Sequence, residues 1–304
     1  MLCMILVSCT GQKTGKENDN NDKIAIEVGE IKFPPQDVLQ LKSYYLSSSV
    51  HVDSIDYLIG YNYRLHSLDC MNLKSKSVTQ IVLPGDGPDA IVRLSGIYAQ
   101  SLDSVWISDE SERAFLIDSV GTIKRMIDLK KYLEDQEQLL INTNYAMFTS
   151  HLFYNASRHS LMFLVKHTPS NTFIVKEVFI DEVGKMATYQ LSSSKVVPDM
   201  SKGYAYINFP NVNFVGENIV YNYPVESSIY MLDIRTNERK YILADSHYTS
   251  NIIEKCTTSG DYATLEKHWL ENSHFYDIMY LPKYKIYARL HADKVDFDEK
   301  KGME

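Results

Sequence analysis

The residues best suited to binding chemistry lie in a short acidic loop, residues 85–89 with the sequence GDGPD, and in Arg93 shortly after it. Carboxylates and a guanidinium grouped in this way can hold a polar ligand through charge-assisted hydrogen bonds. The same segment also suits an ordinary tight turn, because Gly, Pro and Asp fit turn backbone geometry. We favour the turn and keep Asp86, Asp89 and Arg93 as candidate ligand-binding residues.

Metal binding and catalysis have less support in the sequence. The nine histidines are widely spaced, and His268 and His274 are six positions apart, which suits no compact set of metal ligands. The Asp109-Glu110 pair lies at a turn with no sign of the burial that general acid–base catalysis needs. We therefore predict no metal, no cofactor and no catalytic residue. Asn208 and His274 complete the candidate ligand-binding residues.

Composition favours an all-β protein that does not bind nucleic acid. The chain has 22 Tyr and 11 Phe but only 13 Gly and 9 Pro, and aromatic side chains pack well on pleated sheets. Its net charge is −8 at pH 7, and its Lys and Arg are scattered rather than grouped in a basic patch. Tyr221 and Tyr223 alternate at strand spacing and can stack on a ligand, although we favour packing between repeats.

The N-terminus has the pattern of an export signal. Residues 1–7 form an apolar run too short to cross a bilayer, and the polar residues 10–23 follow Ser8 and Cys9. The segment Leu-Val-Ser-Cys that ends at Cys9 resembles the lipobox of bacterial lipoproteins. The resemblance implies a signal segment over 1–8, a lipid on Cys9, a flexible tether over 9–23 and attachment to the cell envelope, at the outer membrane. A frayed apolar N-terminus is the alternative.

The rest of the chain, residues 24–304, has the pattern of one repeat domain. A short apolar stretch followed by aspartate recurs about every fifty residues, at Asp69, Asp118, Asp181 and Asp233. We expect each aspartate to lead a turn into a further strand, because its side chain can accept hydrogen bonds from the turn backbone. Each repeat then supplies the four strands of a β-propeller blade.

The predicted blades leave the propeller incomplete. The first four blades are expected over 54–83, 96–129, 148–191 and 207–243, and a fifth begins near residue 274 with two strands. An unpaired sheet edge is avoided in natural proteins, so we expect a truncated chain or, alternatively, coverage of the gap by an N-terminal strand over 23–33. Helical inserts are predicted over 129–140 and 261–271 from their apolar spacing.

Two segments carry a resemblance to known propellers. Residues 85–91, 104–109 and 115–118 resemble a blade of six-bladed propellers of the NHL and TolB-like kind. The segment from His274 to Arg289 resembles part of the Bacteroides-type lipoproteins of unknown function. The resemblance implies a six-bladed propeller, of which about five blades are present, and it implies no reaction.

Three functions are compatible with an anchored propeller. We favour a monomeric, non-enzymatic binding module for a glycan, a peptide or a partner protein. The alternatives are a polysaccharide hydrolase or lyase with acid–base residues around the propeller channel, and a structural role that would require a large exposed apolar patch. Cys70 and Cys256 fall in separate parts of the predicted fold, so we expect no disulfide between them.

Overall fold

The computed structural model describes residues 31–33, 44–141, 151–195, 209–255, 262–282 and 284–295. The chain divides into two compact units. Of the described residues, 31–33, 44–141 and 151–190 belong to the first unit, and those from 191 onward belong to the second. Cys9, Asn208 and Cys256 lie outside the described residues, as does most of the N-terminal strand expected over 23–33. No helix in the described ranges is both long and apolar enough to cross a membrane.

The first sheet of the first unit is an antiparallel meander of four strands. The strands are β1 (Ser47–Val52), β2 (Ile55–Asn62), β3 (Ser67–Asn72) and β4 (Val78–Val82). The prediction that Asp69 leads a turn is wrong, because Asp69 lies inside β3 and is fully buried. Its carboxylate accepts hydrogen bonds from Tyr44, Asn62 and Gln80. Asn72 leads the turn instead, and its Oδ1 accepts from the backbone N–H groups of the turn.

The second sheet has the same strand order. It comprises β5 (Leu94–Ser101), β6 (Ser104–Asp109), β7 (Arg113–Ile117) and β8 (Ile123–Asp128). Here the aspartate marker is confirmed, since Asp118 Oδ1 accepts from the backbone N–H groups of Val120 and Thr122 at 3.1 and 2.8 Å. Gly121 completes this turn with a φ of +84°, a conformation that favours glycine.

The third sheet contains an interrupted strand. It comprises β9 (Glu137–Leu140), β10 (Phe153–Asn155), β11 (Ser160–His167), β12 (Thr172–Phe179) and β13 (Met186–Gln190). Both β9 and β10 pair with β11, on successive stretches of it: Leu140 lies opposite Leu164, and Phe153 lies opposite Met162. Together β9 and β10 therefore occupy the position of one strand, and β10 to β13 complete a blade of the same order as the first two.

The prediction of a helix over 129–140 is wrong beyond the first turn. Only residues Leu129–Tyr132 form a helix, and it is of the 3-10 type. The leucines at 139 and 140 belong to β9, where backbone pairing with β11 and burial override the helical spacing of the apolar residues. An ion pair between Glu137 and the fully buried Lys176 also fixes β9 against the sheet.

The second unit contains one complete sheet and one hairpin. The complete sheet comprises β14 (Asn211–Val215), β15 (Asn218–Asn222), β16 (Ile229–Asp233) and β17 (Arg239–Ile242), again in meander order. Helix α1 (Tyr262–Leu270) confirms the second predicted insert. Strands β18 (His274–Leu281) and β19 (Ile286–Ala292) then form a two-stranded sheet, as the sequence predicts.

The protein is therefore all-β, with four propeller-type blades of four consecutive antiparallel strands. Three of the four aspartate markers lie at turns as expected, and the exception is Asp69. The apolar core of the first unit lies on the sheet faces, where Trp106 stacks on Tyr154 with ring centroids 5.8 Å apart. A smaller core in the second unit joins Val220, Ile229 and Ala244 to Ile278 of the terminal hairpin.

Candidate functional site

A small pocket in the second unit brings charged, aromatic and hydroxyl side chains together. It offers about 20 Å³ of space between the fourth blade and the β18–β19 hairpin, enough for about one water-sized group. It is lined by Ile229, Ala244, Ser246, Phe275, Tyr287, Ala288, Arg289 and His291. Since strand side chains alternate between faces, Tyr287, Arg289 and His291 project from the same side of β19.

Arg289 is the only charged residue of the pocket lining and is 8% exposed. Its Nη2 donates hydrogen bonds to the carbonyl oxygens of Ser227 and Ala244, at 2.9 and 3.1 Å. The guanidinium carbon lies 4.0 Å from the centroid of the Phe275 ring. Two directional bonds and an aromatic surface thus fix the orientation of the guanidinium plane.

His291 completes a stack with the same aromatic ring. The imidazole lies parallel to the Phe275 ring, with centroids 4.0 Å apart, and its Nδ1 is 2.6 Å from Thr249 Oγ1. Burial and, to a smaller extent, the charge of Arg289 lower the pKa of His291 to about 4, against a smaller opposing effect of Asp293. His291 is therefore neutral at pH 7.

His274, a candidate from the sequence, is buried at the start of β18. Its ring packs on Trp269 with centroids 3.5 Å apart. Its Nδ1 lies 3.1 Å from the carbonyl oxygen of Asn272, so we assign the proton of the neutral ring to Nδ1. Burial lowers the pKa of His274 to about 4. The Nε2 atom is buried and has no hydrogen-bond partner.

A buried amide lies on the pocket side of the fourth blade. Asn222 ends β15 directly opposite Ile229, a pocket residue, so the two side chains share one face of the sheet. Asn222 is fully buried, and neither its Oδ1 nor its Nδ2 has a hydrogen-bond partner. An unpaired buried amide is costly. Asn222 is not itself one of the residues that line the pocket.

The opposite face of the fourth blade uses its tyrosines for packing. The hydroxyl of Tyr221 accepts from the backbone N–H of Ser192, and that of Tyr223 donates to the Ser192 carbonyl. Both tyrosines also contact the ring of Tyr230. Tyr221 and Tyr223 therefore pack on Tyr230 within the fourth blade, and packing between repeats stays a prediction.

The acidic loop proposed from the sequence lies in the first unit, between β4 and β5. Asp86, Asp89 and Arg93 are all exposed. The loop is closed by a bond from Ile91 N to Pro84 O at 2.8 Å, so it forms the expected turn. Arg93 lies near Tyr45 and Glu110, and within the described ranges no hydrogen bond links it to either aspartate. A ligand-binding role for these three residues stays a prediction, as does one for Asn208.

Sequence reasoning missed the residues that form the pocket. Arg289 and Phe275 lie inside the segment that resembles the Bacteroides-type lipoproteins, yet neither was a candidate. The available signal was the alternation in β19, which places an arginine and a histidine on one face of an otherwise apolar strand. Asn222 carries no signal of its own, since only the register of β15 against β16 brings it to the pocket side of the blade.

Comparison with solved structures supports the fold. The chain is similar to a member of the DUF4221 family from Bacteroides vulgatus, with 13% identity and a TM-score of 0.69, covering 89% of this chain and 76% of that one. It also matches an oligogalacturonate lyase from Vibrio parahaemolyticus with 8% identity and a TM-score of 0.38, over 67% of this chain and 54% of that one. No family model and no curated protein matches the chain. The first likeness shows a shared fold, and the second carries no argument.

Proposed function

We propose that this protein is a binding module of the cell envelope, which recognises a glycan, a peptide or a partner protein. The observation that carries the proposal is the pocket around Arg289. It combines a fixed buried cation in Arg289 with two aromatic rings in Phe275 and Tyr287 and the hydroxyl of Ser246. A few convergent polar groups in an otherwise apolar pocket are typical of ligand sites.

Three aspartates at turns have shifted pKa values, and the direction of the shift does not suit acid–base catalysis. Where the pKa of a carboxyl group is shifted, at Asp103, Asp118 and Asp233, it is lowered. For Asp103 and Asp233 the main cause is hydrogen bonding from turn backbone N–H groups, and for Asp118 it is the hydrogen bond from Lys124. A general acid for glycoside cleavage needs the opposite shift. These three aspartates therefore serve the turns and give no support to the alternative of a polysaccharide hydrolase or lyase.

Attachment to the envelope is part of the proposal and is supported by the sequence alone. A lipid on Cys9, followed by the polar tether 9–23, would hold the propeller at the outer membrane without a membrane-spanning helix. The β18–β19 hairpin would then be the start of a fifth blade in a six-bladed propeller. Palmitate labelling of the wild type, lost in Cys9→Ala, is the expected result. Equal labelling of both proteins would refute the anchor.

The binding function is tested with the full chain carrying Cys9→Ser, which removes the lipid. This protein is screened against arrays of glycans and short peptides, and each ligand found is tested again with Arg289→Gln. Loss of binding in that variant is expected. The matched control is Arg235→Gln, which changes an exposed arginine in the turn after β16. The absence of any ligand from both arrays would contradict the proposal.

A further inference from the structure

We infer that the first unit carries a ligand site of its own, a surface platform of tyrosine rings that binds an uncharged sugar unit of a glycan. The platform consists of the exposed rings of Tyr45 and Tyr63 and of the exposed ion pair of Arg93 and Glu110 beside them. The pocket around Arg289 belongs to the second unit, so the inference does not depend on it.

The two tyrosine rings form a continuous aromatic surface that is open to solvent. Tyr63 is 49% exposed and Tyr45 is 37% exposed. Their ring centroids lie 6.0 Å apart, and the ring planes are tilted by 43° to each other. Neighbouring aromatic rings left open to solvent are typical of a contact surface, because covering them with a ligand is favourable. The rings therefore offer two adjoining faces to one ligand.

Tyr45 is held in place by both of its neighbours in the chain. Leu46 is buried, and its carbonyl oxygen accepts a hydrogen bond from the backbone N–H of Tyr61 at 3.0 Å. On the other side, the hydroxyl of Tyr44 donates to the carboxylate of the buried Asp69 at 2.6 Å. The ring of Tyr61 also meets the Tyr45 ring edge-on, with centroids 6.1 Å apart. The Tyr45 ring is thus oriented before a ligand arrives.

Tyr63 lies in the turn between β2 and β3, and this turn is fixed by a buried side chain. The Oδ1 atom of Asn62 accepts from the backbone N–H groups of Arg64 and Leu65, both at 3.2 Å. Asn62 is itself fully buried and donates to Asp69 at 3.0 Å. A site whose parts are already ordered loses less conformational entropy on binding. The turn therefore suits Tyr63 to recognition.

The ion pair supplies hydrogen-bonding groups at the edge of the rings. Nε of Arg93 lies 3.5 Å from the hydroxyl oxygen of Tyr45 and 3.6 Å from Oε1 of Glu110. These contacts use Nε, and in the part of the chain that the structure describes no hydrogen bond involves Nη1 or Nη2 of Arg93. A guanidinium donates and a carboxylate accepts, so the pair matches sugar hydroxyl groups, each of which can do both.

The charge around the platform favours an uncharged ligand. Arg93 and Glu110 offset each other, and the loop that leads to Arg93 adds the exposed Asp86 and Asp89. This excess of negative charge repels an acidic glycan, although solvent weakens the repulsion at the surface.

The position of the platform favours a sugar over a peptide that extends a sheet. Such a peptide needs a strand edge with unpaired backbone groups. Tyr45 precedes β1 and Tyr63 lies in a turn, so the two rings stand on connections that offer no such edge. The C–H groups of a sugar ring carry partial positive charge and complement the electron-rich faces of aromatic rings. A proline-rich peptide can also dock on aromatic side chains, and the test includes one.

The test uses the full chain with Cys9→Ser and calorimetric titration with defined oligomers. The uncharged probes are the hexasaccharides maltohexaose, cellohexaose, laminarihexaose and mannohexaose. Hexagalacturonate is the acidic comparison and octaproline is the peptide comparison. We expect at least one uncharged hexasaccharide to bind about tenfold more tightly than hexagalacturonate and octaproline do.

Substitutions connect that binding to the platform. Tyr63→Ala and Tyr45→Ala should each weaken it by about tenfold, because each removes one stacking ring. Tyr63→Phe keeps the ring and should retain most of the affinity, and Arg93→Gln and Glu110→Gln should weaken binding by smaller factors. The matched control is Tyr248→Ala, which removes a tyrosine of the second unit that is 75% exposed and should leave binding unchanged. Tyr63→Ala, in an exposed turn, decides the matter should Tyr45→Ala fail to fold.

Three results would overturn the inference: no binding of any uncharged hexasaccharide, tighter binding of hexagalacturonate or octaproline, or binding that Tyr63→Ala leaves unchanged. A ligand whose binding is lost in Arg289→Gln and kept in Tyr63→Ala would also speak against the platform. That ligand would leave the proposed binding function intact, so the two failures are distinguishable.

Discussion

The hydroxyl of Tyr230 donates a hydrogen bond to Oε1 of the fully buried Glu226 at 2.8 Å, while Glu226 Oε2 has no hydrogen-bond partner. The same hydroxyl accepts from the backbone N–H of Lys195 at 2.7 Å. Glu226 lies in the connection from β15 to β16, two residues before Ser228, which is also fully buried. Within the described ranges no cation forms an ion pair with this carboxylate.

The environment of Glu226 predicts that Glu226→Gln stabilises the fold at pH 7. The amide keeps the oxygen that accepts from Tyr230 and removes a charge buried without a cation, so we expect a gain of about 1 to 2 kcal/mol in the free energy of unfolding. Urea unfolding monitored by circular dichroism measures the difference. The control is Glu238→Gln, which changes an exposed residue in the turn before β17 and should change the free energy of unfolding little. A less stable Glu226→Gln would mean that the carboxylate has a partner essential to the fold.

The two buried histidines predict a loss of stability in mild acid. Burial depresses the pKa of His274 and His291 to about 4, whereas an unfolded histidine titrates near 6.5. The unfolded chain therefore binds more protons between these values, so the stability is complete above about pH 6.5 and is lost as the pH falls towards 4. At pH 5 the loss amounts to about 2 kcal/mol per histidine, an upper limit for the less buried His291.

Unfolding in urea at pH 7 and pH 5 measures this dependence. Replacing both histidines by glutamine should reduce the slope of stability against pH, whether or not the variant is less stable at pH 7. His247→Gln provides the control, since His247 is exposed. A slope unchanged by the double substitution would show that other groups carry the acid sensitivity.

Substitutions at two turn glycines distinguish the cost of an unfavourable backbone conformation from the cost of a steric clash. Gly121 and Gly184 both have positive φ, at +84° and +78°. A Cβ on Gly184 meets no atom within 4 Å, whereas one on Gly121 would lie 2.3 Å from the carbonyl oxygen of Val82. Gly184→Ala should therefore cost about 1 kcal/mol from backbone strain, and Gly121→Ala should cost at least about 3 kcal/mol because backbone must also move. Thermal unfolding of the two variants measures both costs, and equal losses would contradict the steric argument.

The sequence predicted the repeats well because turns and strands leave local signals. Asp118 and Asp233 stand where an apolar strand ends, and their carboxylates bond the turn backbone as expected. Asp69 has the same local pattern but lies in mid-strand, since Tyr44, Asn62 and Gln80 provide donors that only the folded sheet brings to it. The pocket was missed for a similar reason: the contact of Arg289 with Ser227 joins positions far apart in the chain. Both the environment of Asp69 and the composition of the pocket depend on which distant positions of the chain meet in the fold, and no local sequence pattern encodes that.

The buried ion pair that holds β9 in place predicts strong coupling between its two members. Lys176 is fully buried and its ammonium contacts Glu137 and the carbonyl oxygen of Tyr132 at 2.7 Å. Removing either charge alone leaves the other buried without its partner, so Lys176→Met and Glu137→Gln should each cost about 3 to 5 kcal/mol. The double variant should lose much less free energy of unfolding than the sum of the two single losses, with a coupling of about 2 kcal/mol or more.

A double-mutant cycle by urea unfolding measures this coupling, with the exposed pair of Lys185 and Glu182 as the control. Additive losses at Lys176 and Glu137 would mean that β9 is held by its backbone pairing with β11 alone.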